Sequence, residues 1–245
     1  MARYIVRRQA ESYGHDIGIL LLDCRTPFIP GDVGNARTYG FPVLYRTMPG
    51  VTLDRLINQA DRSMEQVIVE NARALEQSGV CAITSDCGYM MHFQEAVAAS
   101  VRIPVMLSSL LQLPFIGAML GPDQAVGLIC ADRQRLTEDL LAPLRASMRC
   151  GLHVAGLEHA PNFRGPILDE TDVLDSEAIE GEVVAAALAL MREHPEIEAW
   201  LLECSNLPPY AHAVQTATGK PVFDFITMIN SVQAAARRQP FSGYY

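Results

Sequence analysis

Two stretches of the chain repeat one another: VCAITSDCGYMMHFQEAVAASVRIPV at residues 80–105 and IEAWLLECSNLPPYAHAVQTATGKPV at residues 197–222. An acid followed by a cysteine stands at the same place in each, as Asp86-Cys87 and Glu203-Cys204. A Pro-Val pair then follows each cysteine at the same distance, so the two segments align without a gap at an offset of 117 residues. A repeat of this length predicts two similar lobes and not a solenoid of short units.

A second pair of segments supports the same division of the chain. IGILLLD at 17–23 matches VGLICAD at 126–132. Apolar runs of strand length alternate with longer amphipathic segments, and apolar residues keep helical spacing from Leu53 to Leu75, where Gly79 ends the pattern. Such alternation is typical of an α/β fold, with parallel-type sheets flanked by helices. The stretch 159–175 is rich in Pro, Gly and Asp and is expected to be a long loop.

We expect the two lobes to be related by a pseudo-twofold, with the active site in the cleft between them. Lobe one is predicted to comprise residues 1–115 plus 222–245 and to carry Cys87. Lobe two is predicted to comprise residues 116–221 and to carry Cys204. The last predicted helix, over about 226–238, would return the chain to lobe one.

Composition narrows the classes of function. The 245 residues carry a net charge of −9, which argues against nucleic acid or an anionic membrane surface as a partner. No stretch reaches the length of a membrane-spanning helix, and the polar first residues do not resemble a secretion signal, so we expect a cytoplasmic protein with reduced cysteines. Lys220 is the only lysine, and Pro221 follows it, which leaves little room for pyridoxal phosphate or phosphate-loop chemistry. No cofactor is expected, and no cysteine or histidine spacing indicates a metal site.

The two repeated cysteines are the candidate catalytic residues. Each follows a predicted strand and precedes a predicted helix, which is where open parallel sheets bind ligands. Backbone N–H groups and the helix dipole would favour the thiolate there, and the adjacent acids would point away if they keep strand geometry. Two thiols facing one another across a cleft can take a proton from one face of a carbon and return one to the other face. This is a two-base racemisation that needs neither metal nor cofactor.

Other polar residues at the predicted strand ends are candidates for holding a substrate. Arg25 and Arg46 each follow a strand of lobe one and either clamp an acidic group or are exposed charges. Ser108 either lines the cleft or caps the next helix. The substrate-binding candidates are Ser85, Gly88, Ser205, Asn206, Arg25, Arg46 and Ser108.

The chain resembles the aspartate/glutamate/hydantoin racemase superfamily over roughly residues 15–238. The resemblance is carried by ITSDCG at 83–88, IPVMLSSLLQLP at 103–114, LECSNLPPYA at 202–211 and GKPVFD at 219–224. It implies cofactor-independent inversion at the α-carbon of an amino acid or hydantoin-type compound, with Cys87 and Cys204 as the two acid/base residues. The triplets Cys87-Gly88-Tyr89 and Cys204-Ser205-Asn206 differ from those usual in glutamate racemases, which favours the hydantoin or allantoin racemases.

The sequence therefore predicts an isomerase, a racemase or epimerase independent of pyridoxal phosphate. Two alternatives stay open: a decarboxylase or cis-trans isomerase of the same superfamily that acts on a small dicarboxylate, and a non-catalytic two-lobed protein that binds a small molecule. The expected partner is a small molecule with a carboxylate or carbonyl next to the reacting carbon. A homodimer is expected by default.

Overall fold

The computed structural model describes residues 12–171 and 173–241 and, outside these ranges, residues 6, 10 and 243. Most of the polar start of the chain, which we expect not to be a secretion signal, therefore lies outside the described residues. Within the described part, no helix combines the length and the apolar character that crossing a membrane requires.

Two parallel four-stranded sheets form the centres of two lobes. The first sheet has the order β2-β1-β3-β4, from β1 (Ile17–Leu21), β2 (Val43–Thr47), β3 (Ala82–Ser85) and β4 (Val105–Met106). The second has the order β6-β5-β7-β8, from β5 (Ala125–Cys130), β6 (Gly151–Gly156), β7 (Ile197–Leu202) and β8 (Val222–Phe223). Because each strand of one sheet has its counterpart in the other, the strand order confirms the α/β fold with two similar lobes.

Eight α-helices flank these sheets in the described part of the chain. They are α1 (Glu65–Ser78), α2 (Gln94–Ser100), α3 (Leu113–Ala118), α4 (Glu138–Arg145), α5 (Pro161–Leu168), α6 (Ser176–Glu193), α7 (Ala211–Thr218) and α8 (Phe225–Ala236). Helix α1 ends as predicted at Gly79, which adopts a left-handed conformation with φ 88°.

Two sequence-based predictions of local structure are wrong. The helical spacing from Leu53 to Leu75 is interrupted, because Ala60 adopts a positive φ of 48° between a π-helical turn at Asp54–Asn58 and helix α1. The predicted loop 159–175 contains helix α5, which starts at Pro161. Proline fits the first turn of a helix because its missing N–H would be unpaired there anyway.

The predicted boundary between the lobes lies slightly too early. Strand β8, assigned to lobe one from the sequence, pairs with β7 of the second sheet, with Val222 opposite Trp200. The chain changes lobes directly after this strand, at Asp224, which caps helix α8 together with Thr227. Apolar residues of α8 then pack on the first sheet, and the side chains of Gln233 and Arg237 bond the carboxylate of Asp16.

A glycine near the start of β5 makes room for the only tryptophan of the chain. Trp200 on the neighbouring β7 is fully buried, and a β-carbon at Gly127 would lie 2.4 Å from its ring atom Cζ3. At the matching residue of the repeat, Gly18 in β1, a β-carbon would lie 3.0–3.1 Å from side-chain atoms of Leu75 and Val80, closer than ordinary van der Waals contact. Both lobes therefore bring a bulky side chain against the backbone of their central strand.

We expect Gly127→Ala to lower the free energy of unfolding by about 1–3 kcal/mol, because the new methyl group overlaps the indole ring. Gly181→Ala is a matched control: it lies in helix α6 with no atom within 4 Å of the new β-carbon. We expect that change to stabilise the protein by up to about 1 kcal/mol through helix propensity. Urea unfolding followed by the fluorescence of Trp200 measures both, and equal effects of the two changes would contradict this account of the packing.

Candidate active site

Cys87 and Cys204 occupy equivalent positions in the two lobes. Each stands two residues beyond the end of an inner strand, β3 or β7. The two strand ends face each other: the hydroxyl of Ser205 donates to the backbone oxygen of Asp86, and the hydroxyl of Ser109 donates to the backbone oxygen of Glu203. The two cysteines are only 6% and 7% exposed, so their thiols are almost closed off from solvent in this arrangement of the lobes.

The backbone directs one N–H group at each sulfur. The N–H of Tyr89 donates to the sulfur of Cys87, and the N–H of Asn206 donates to the sulfur of Cys204. These donors are themselves equivalent in the repeat. Short 3-10 segments, Gly88–Phe93 and Pro208–Tyr210, lie between the cysteines and the α-helices that follow them. The predicted contact of each thiol with the first turn of an α-helix is therefore absent.

Burial raises the pKa of both thiols well above the ordinary value for cysteine, and the charge of Glu203 raises it further. The charge of Asp86 acts in the same direction on both sulfurs. The prediction that helix termini favour thiolates is wrong for this state of the protein, because loss of hydration outweighs the single N–H donor. The adjacent acids were expected to point away from the cysteines if they keep strand geometry, yet their charges raise the pKa of both thiols.

The two neighbouring acids form a repeated contact. The carboxylate of Asp86 accepts hydrogen bonds from the backbone N–H of Leu22 at 3.0 and 3.2 Å. Glu203 accepts one from the N–H of Ala131 at 3.3 Å through Oε2. Burial raises the pKa of Asp86 to about 7 and that of Glu203 to about 8, although these hydrogen bonds lower both values. Both carboxyl groups therefore titrate near neutral pH and not as ordinary surface acids.

Glycine at position 88 lets the carboxyl group of Glu203 reach the first lobe. A β-carbon at Gly88 would lie 1.7 Å from Oε1 of Glu203, so any other residue here would displace that carboxyl group. Oε1 is buried and has no hydrogen-bond partner within the described residues. Gly88 was predicted as a donor to substrate, and the structure shows it as the position at which an acid of lobe two packs beside Cys87.

A further buried acid, Asp32, belongs to this site and was not predicted. Its Oδ2 accepts a 2.6 Å hydrogen bond from the side-chain amide of Asn206, and the thiol of Cys204 lies 3.5 Å from the amide oxygen. Burial raises the pKa of Asp32 to about 7, against the hydrogen bonds from Gly34 and Asn206. Asp32 and Asn206 are 174 positions apart, so no local pattern could have paired them.

The serines predicted as substrate ligands are already bonded to the protein. Ser85 donates to the backbone oxygen of Leu107, and Ser108 accepts from the N–H of Leu110 and so caps the next 3-10 segment. Both side chains are fully buried, and Ser205 joins the lobes as described above. The structure places them around the cysteines as supports of the strand ends, while their contact with substrate stays a prediction.

The two predicted arginines are exposed and bonded elsewhere. The Nε of Arg46 donates to Asn71 on helix α1, and the backbone N–H of Arg25 donates to Glu170. Within the described residues neither guanidinium contacts the thiols or the buried acids. The acids Asp32, Asp86 and Glu203 likewise form no ion pair with any basic side chain of the described part. Among the residues that the structure describes, no basic side chain forms the clamp for an acidic substrate that the sequence had suggested.

One group outside this site has the side chains that bind transition metals. Oε1 of Glu196 lies 2.8 Å from Nε2 of His153 and 3.4 Å from Nδ1 of His194, at the opposite end of the second sheet from Cys204. The imidazole rings are stacked with centroids 3.5 Å apart at 14°. A metal ion bonds imidazole nitrogen in the ring plane, and it cannot lie in two nearly parallel planes at once. As arranged, the carboxylate of Glu196 is an acceptor shared between His153 and His194.

Known structures with the same fold include two racemases and a decarboxylase. Allantoin racemase from Klebsiella pneumoniae covers 93% of this chain with a TM-score of 0.64 at 14% identity. Allantoin racemase from Pseudomonas fluorescens covers 94% with a TM-score of 0.61 at 18% identity. Arylmalonate decarboxylase covers 92% with a TM-score of 0.57 at 14% identity. These matches define the class of protein: the chain has the fold of the aspartate/glutamate/hydantoin racemase superfamily, as the sequence predicted.

The sequence relatives are more specific. Dimethylsulfoniopropionate lyase from Durusdinium sp. clade D is 32% identical over 223 residues, which are 86% of this chain and 71% of that protein. Dimethylsulfoniopropionate lyase 3 from Emiliania huxleyi (strain CCMP1516) is 31% identical over 241 residues, which are 93% of this chain but only 61% of that protein. No model of a protein family matches the chain. The chain belongs to the dimethylsulfoniopropionate lyase family.

The relatives correct the predicted class of enzyme. Proteins 30–32% identical to this chain are named lyases, so the expected isomerase is wrong. The superfamily was predicted correctly, and the named lyases agree better with the alternative reaction, decarboxylation, than with inversion. The roles of Cys87 and Cys204 as acid/base residues stay a prediction.

The buried acids predict an unusual pH dependence of stability. The pKa values of Asp32, Asp86 and Glu203 lie at about 7, about 7 and about 8 in the folded protein, above those of an unfolded chain. Between about pH 4 and these values the folded protein binds more protons, so the free energy of unfolding falls as pH rises through this window.

We expect Glu203→Gln to remove one of these titrating protons. The fall of the free energy of unfolding with pH should then become shallower by up to about 1.4 kcal/mol per pH unit. Glu95→Gln, on the exposed face of helix α2, is the matched control and should leave the slope unchanged. Urea titrations between pH 5 and 8.5 measure the slopes. Parallel curves for wild type and Glu203→Gln would mean that Glu203 is ionised throughout this range.

Proposed function

We propose that this chain is a lyase that cleaves dimethylsulfoniopropionate into dimethyl sulfide and acrylate. The names of its relatives suggest the substrate. The observation that carries the proposal is the composition of the site: two buried thiols surrounded by three buried carboxyl groups, none of which is paired with a basic side chain of the described residues.

The reaction needs one base and no acid. A thiolate takes the proton from the carbon next to the substrate carboxylate, and the electron pair of that C–H bond forms the double bond of acrylate. The bond between carbon and the sulfonium sulfur breaks, and its electron pair leaves with sulfur. Since dimethyl sulfide departs as a neutral molecule, no proton has to be delivered to it. A second proton-transfer group on the opposite face, which racemisation requires, has no necessary part in elimination.

The acidic surroundings support a cationic substrate. The sulfonium centre of dimethylsulfoniopropionate carries a positive charge, and the charges of Asp86 and Glu203 reach both sulfurs. A cation next to these groups favours their ionised forms, so binding of the sulfonium would lower the pKa of the thiol that must act as base. A substrate with two carboxylates and one ammonium group, such as glutamate or aspartate, would instead add negative charge to a site that has no basic partner to offer.

Burial of the two cysteines also excludes water from the thiol that would act as base. The thiols are almost fully buried, and each receives one backbone N–H that remains available to a thiolate. Exclusion of water strengthens the interaction between thiolate and sulfonium, because opposite charges attract more strongly in a medium of low dielectric constant. Proton transfer by a positioned group contributes about 10²–10⁴-fold to a rate.

We expect the purified protein to release dimethyl sulfide and acrylate in equal amounts from dimethylsulfoniopropionate, measured by gas chromatography and proton NMR. Because elimination needs one base, Cys87→Ser and Cys204→Ser should lose activity unequally, and the loss at the base should be about 10²–10⁴-fold in kcat. Cys150→Ser is the matched control, a half-buried cysteine just before β6. Absence of dimethyl sulfide, or full activity of both variants, would refute the proposal.

A further inference from the structure

The repeat gives the two cysteines equivalent backbone positions, but their side-chain surroundings differ at one place. Asn206 and Tyr89 are the equivalent residues, two positions after each cysteine. The hydroxyl of Tyr89 leaves the site and bonds the backbone of Asp132, donating at 2.7 Å and accepting at 3.0 Å. The side chain of Asn206 stays beside its cysteine, with Oδ1 3.5 Å from the sulfur. Only Cys204, of the two, has a side-chain acceptor for its proton within the described residues.

Asp32 determines which end of the Asn206 amide faces the thiol. Above its pKa of about 7 the carboxyl group of Asp32 is ionised and only accepts hydrogen bonds, so the NH₂ group of Asn206 must point at it, as it does at 2.6 Å. The amide oxygen then necessarily faces Cys204. An oxygen acceptor stabilises the S–H form and repels a thiolate, since it offers lone pairs and no proton.

The other charged groups near the two sulfurs are largely shared. Glu203 and Asp86 act on both cysteines, and each cysteine has one backbone N–H donor. Among the carboxyl groups, only Asp32 acts on one sulfur and not on the other, and that sulfur belongs to Cys204. Asp32 thus opposes ionisation of Cys204 in two ways, through its own charge and through the orientation of the Asn206 amide.

We propose that Asp32 and Asn206 hold Cys204 in the protonated thiol form, which leaves Cys87 as the sulfur that takes the α-proton. The assignment rests on the proposed elimination, whereas the unequal acidity of the two thiols does not. Asp32 and Asn206 are positioning residues in this scheme, because they act through Cys204. The proton of the substrate moves to Cys87, the electron pair forms the double bond, and the thiol of Cys204 keeps its proton throughout.

The unequal acidity is tested on wild-type protein without any substrate. Alkylation by iodoacetamide is followed between pH 7 and 11, and the modified peptides of Cys87 and Cys204 are quantified separately by mass spectrometry. The midpoint of each rate profile gives the acidity of that thiol, while accessibility changes only the plateau. We expect the midpoint of Cys204 to lie above that of Cys87. Equal midpoints, or a lower one for Cys204, would overturn the proposal.

Variants then test the cause. Asn206→Ala removes the acceptor without changing the charge, and we expect the midpoint of Cys204 to fall by about one pH unit while that of Cys87 stays in place. Asp32→Asn removes both the charge of Asp32 and its orienting effect on the Asn206 amide, so it should lower the midpoint of Cys204 further than Asn206→Ala does. Asn35→Ala is the matched control, an asparagine of the same loop whose side chain bonds the backbone of Phe28 and Arg37 and not the site. An unchanged Cys204 midpoint in Asn206→Ala would show that the amide does not control the thiol.

The pH profile of elimination separates this assignment from the proposed function. If Cys87 is the base, the rising limb of kcat/KM with dimethylsulfoniopropionate keeps its midpoint in Asn206→Ala, because that limb reports the essential base of the free enzyme. A limb that moves together with the Cys204 midpoint would make Cys204 the base. If wild type releases no dimethyl sulfide while its thiols still titrate unequally, the proposed function fails and the inequality stands.

Discussion

Burial of Asp86 and Glu203 at the ends of the two inner strands is the constraint around which both lobes are arranged. Each carboxyl group accepts a hydrogen bond from the backbone N–H of the residue that directly follows the neighbouring strand, Leu22 for Asp86 and Ala131 for Glu203. Each thereby holds two strand ends together. Such groups are costly to ionise away from water, which raises their pKa values and those of the adjacent thiols. The same contacts that close the strand ends therefore make the cysteines poor acids until a positive charge arrives.

This electrostatic setting explains how one fold serves different reactions. A racemase must move protons on both faces of a carbon, so its two acid/base groups have to be matched. Elimination from a sulfonium compound needs one base, because the leaving group departs uncharged. The second thiol is then free to differ from the first, and here Asn206 and Tyr89 make that difference at equivalent positions. The fold is shared with racemases and a decarboxylase, while the chemistry depends on side chains within the site.

The sequence allowed the fold and the equivalent positions of the two cysteines to be predicted, because both depend on local patterns that occur twice. The gapless repeat carried the strand order and the position of each thiol. Interactions between distant parts of the chain had no such signal: Asp32 meets Asn206 across the lobes, and β8 joins the second sheet just before the chain returns to the first. Proline and glycine in 159–175 suggested a loop, but Pro161 starts a helix there. The acidity of the thiols depended on burial, which the sequence pattern did not quantify.

The two halves of the repeat also differ at the residue directly after each cysteine. Gly88 has no side chain, and the carboxyl group of Glu203 packs into the space beside it. The equivalent Ser205 instead sends its hydroxyl across to the backbone oxygen of Asp86. Lobe two thus contributes an acid to the surroundings of Cys87, and lobe one contributes Asp32 to those of Cys204. Each cysteine is therefore influenced by an acid of the other lobe, so the ionisation of both thiols depends on contacts between the lobes.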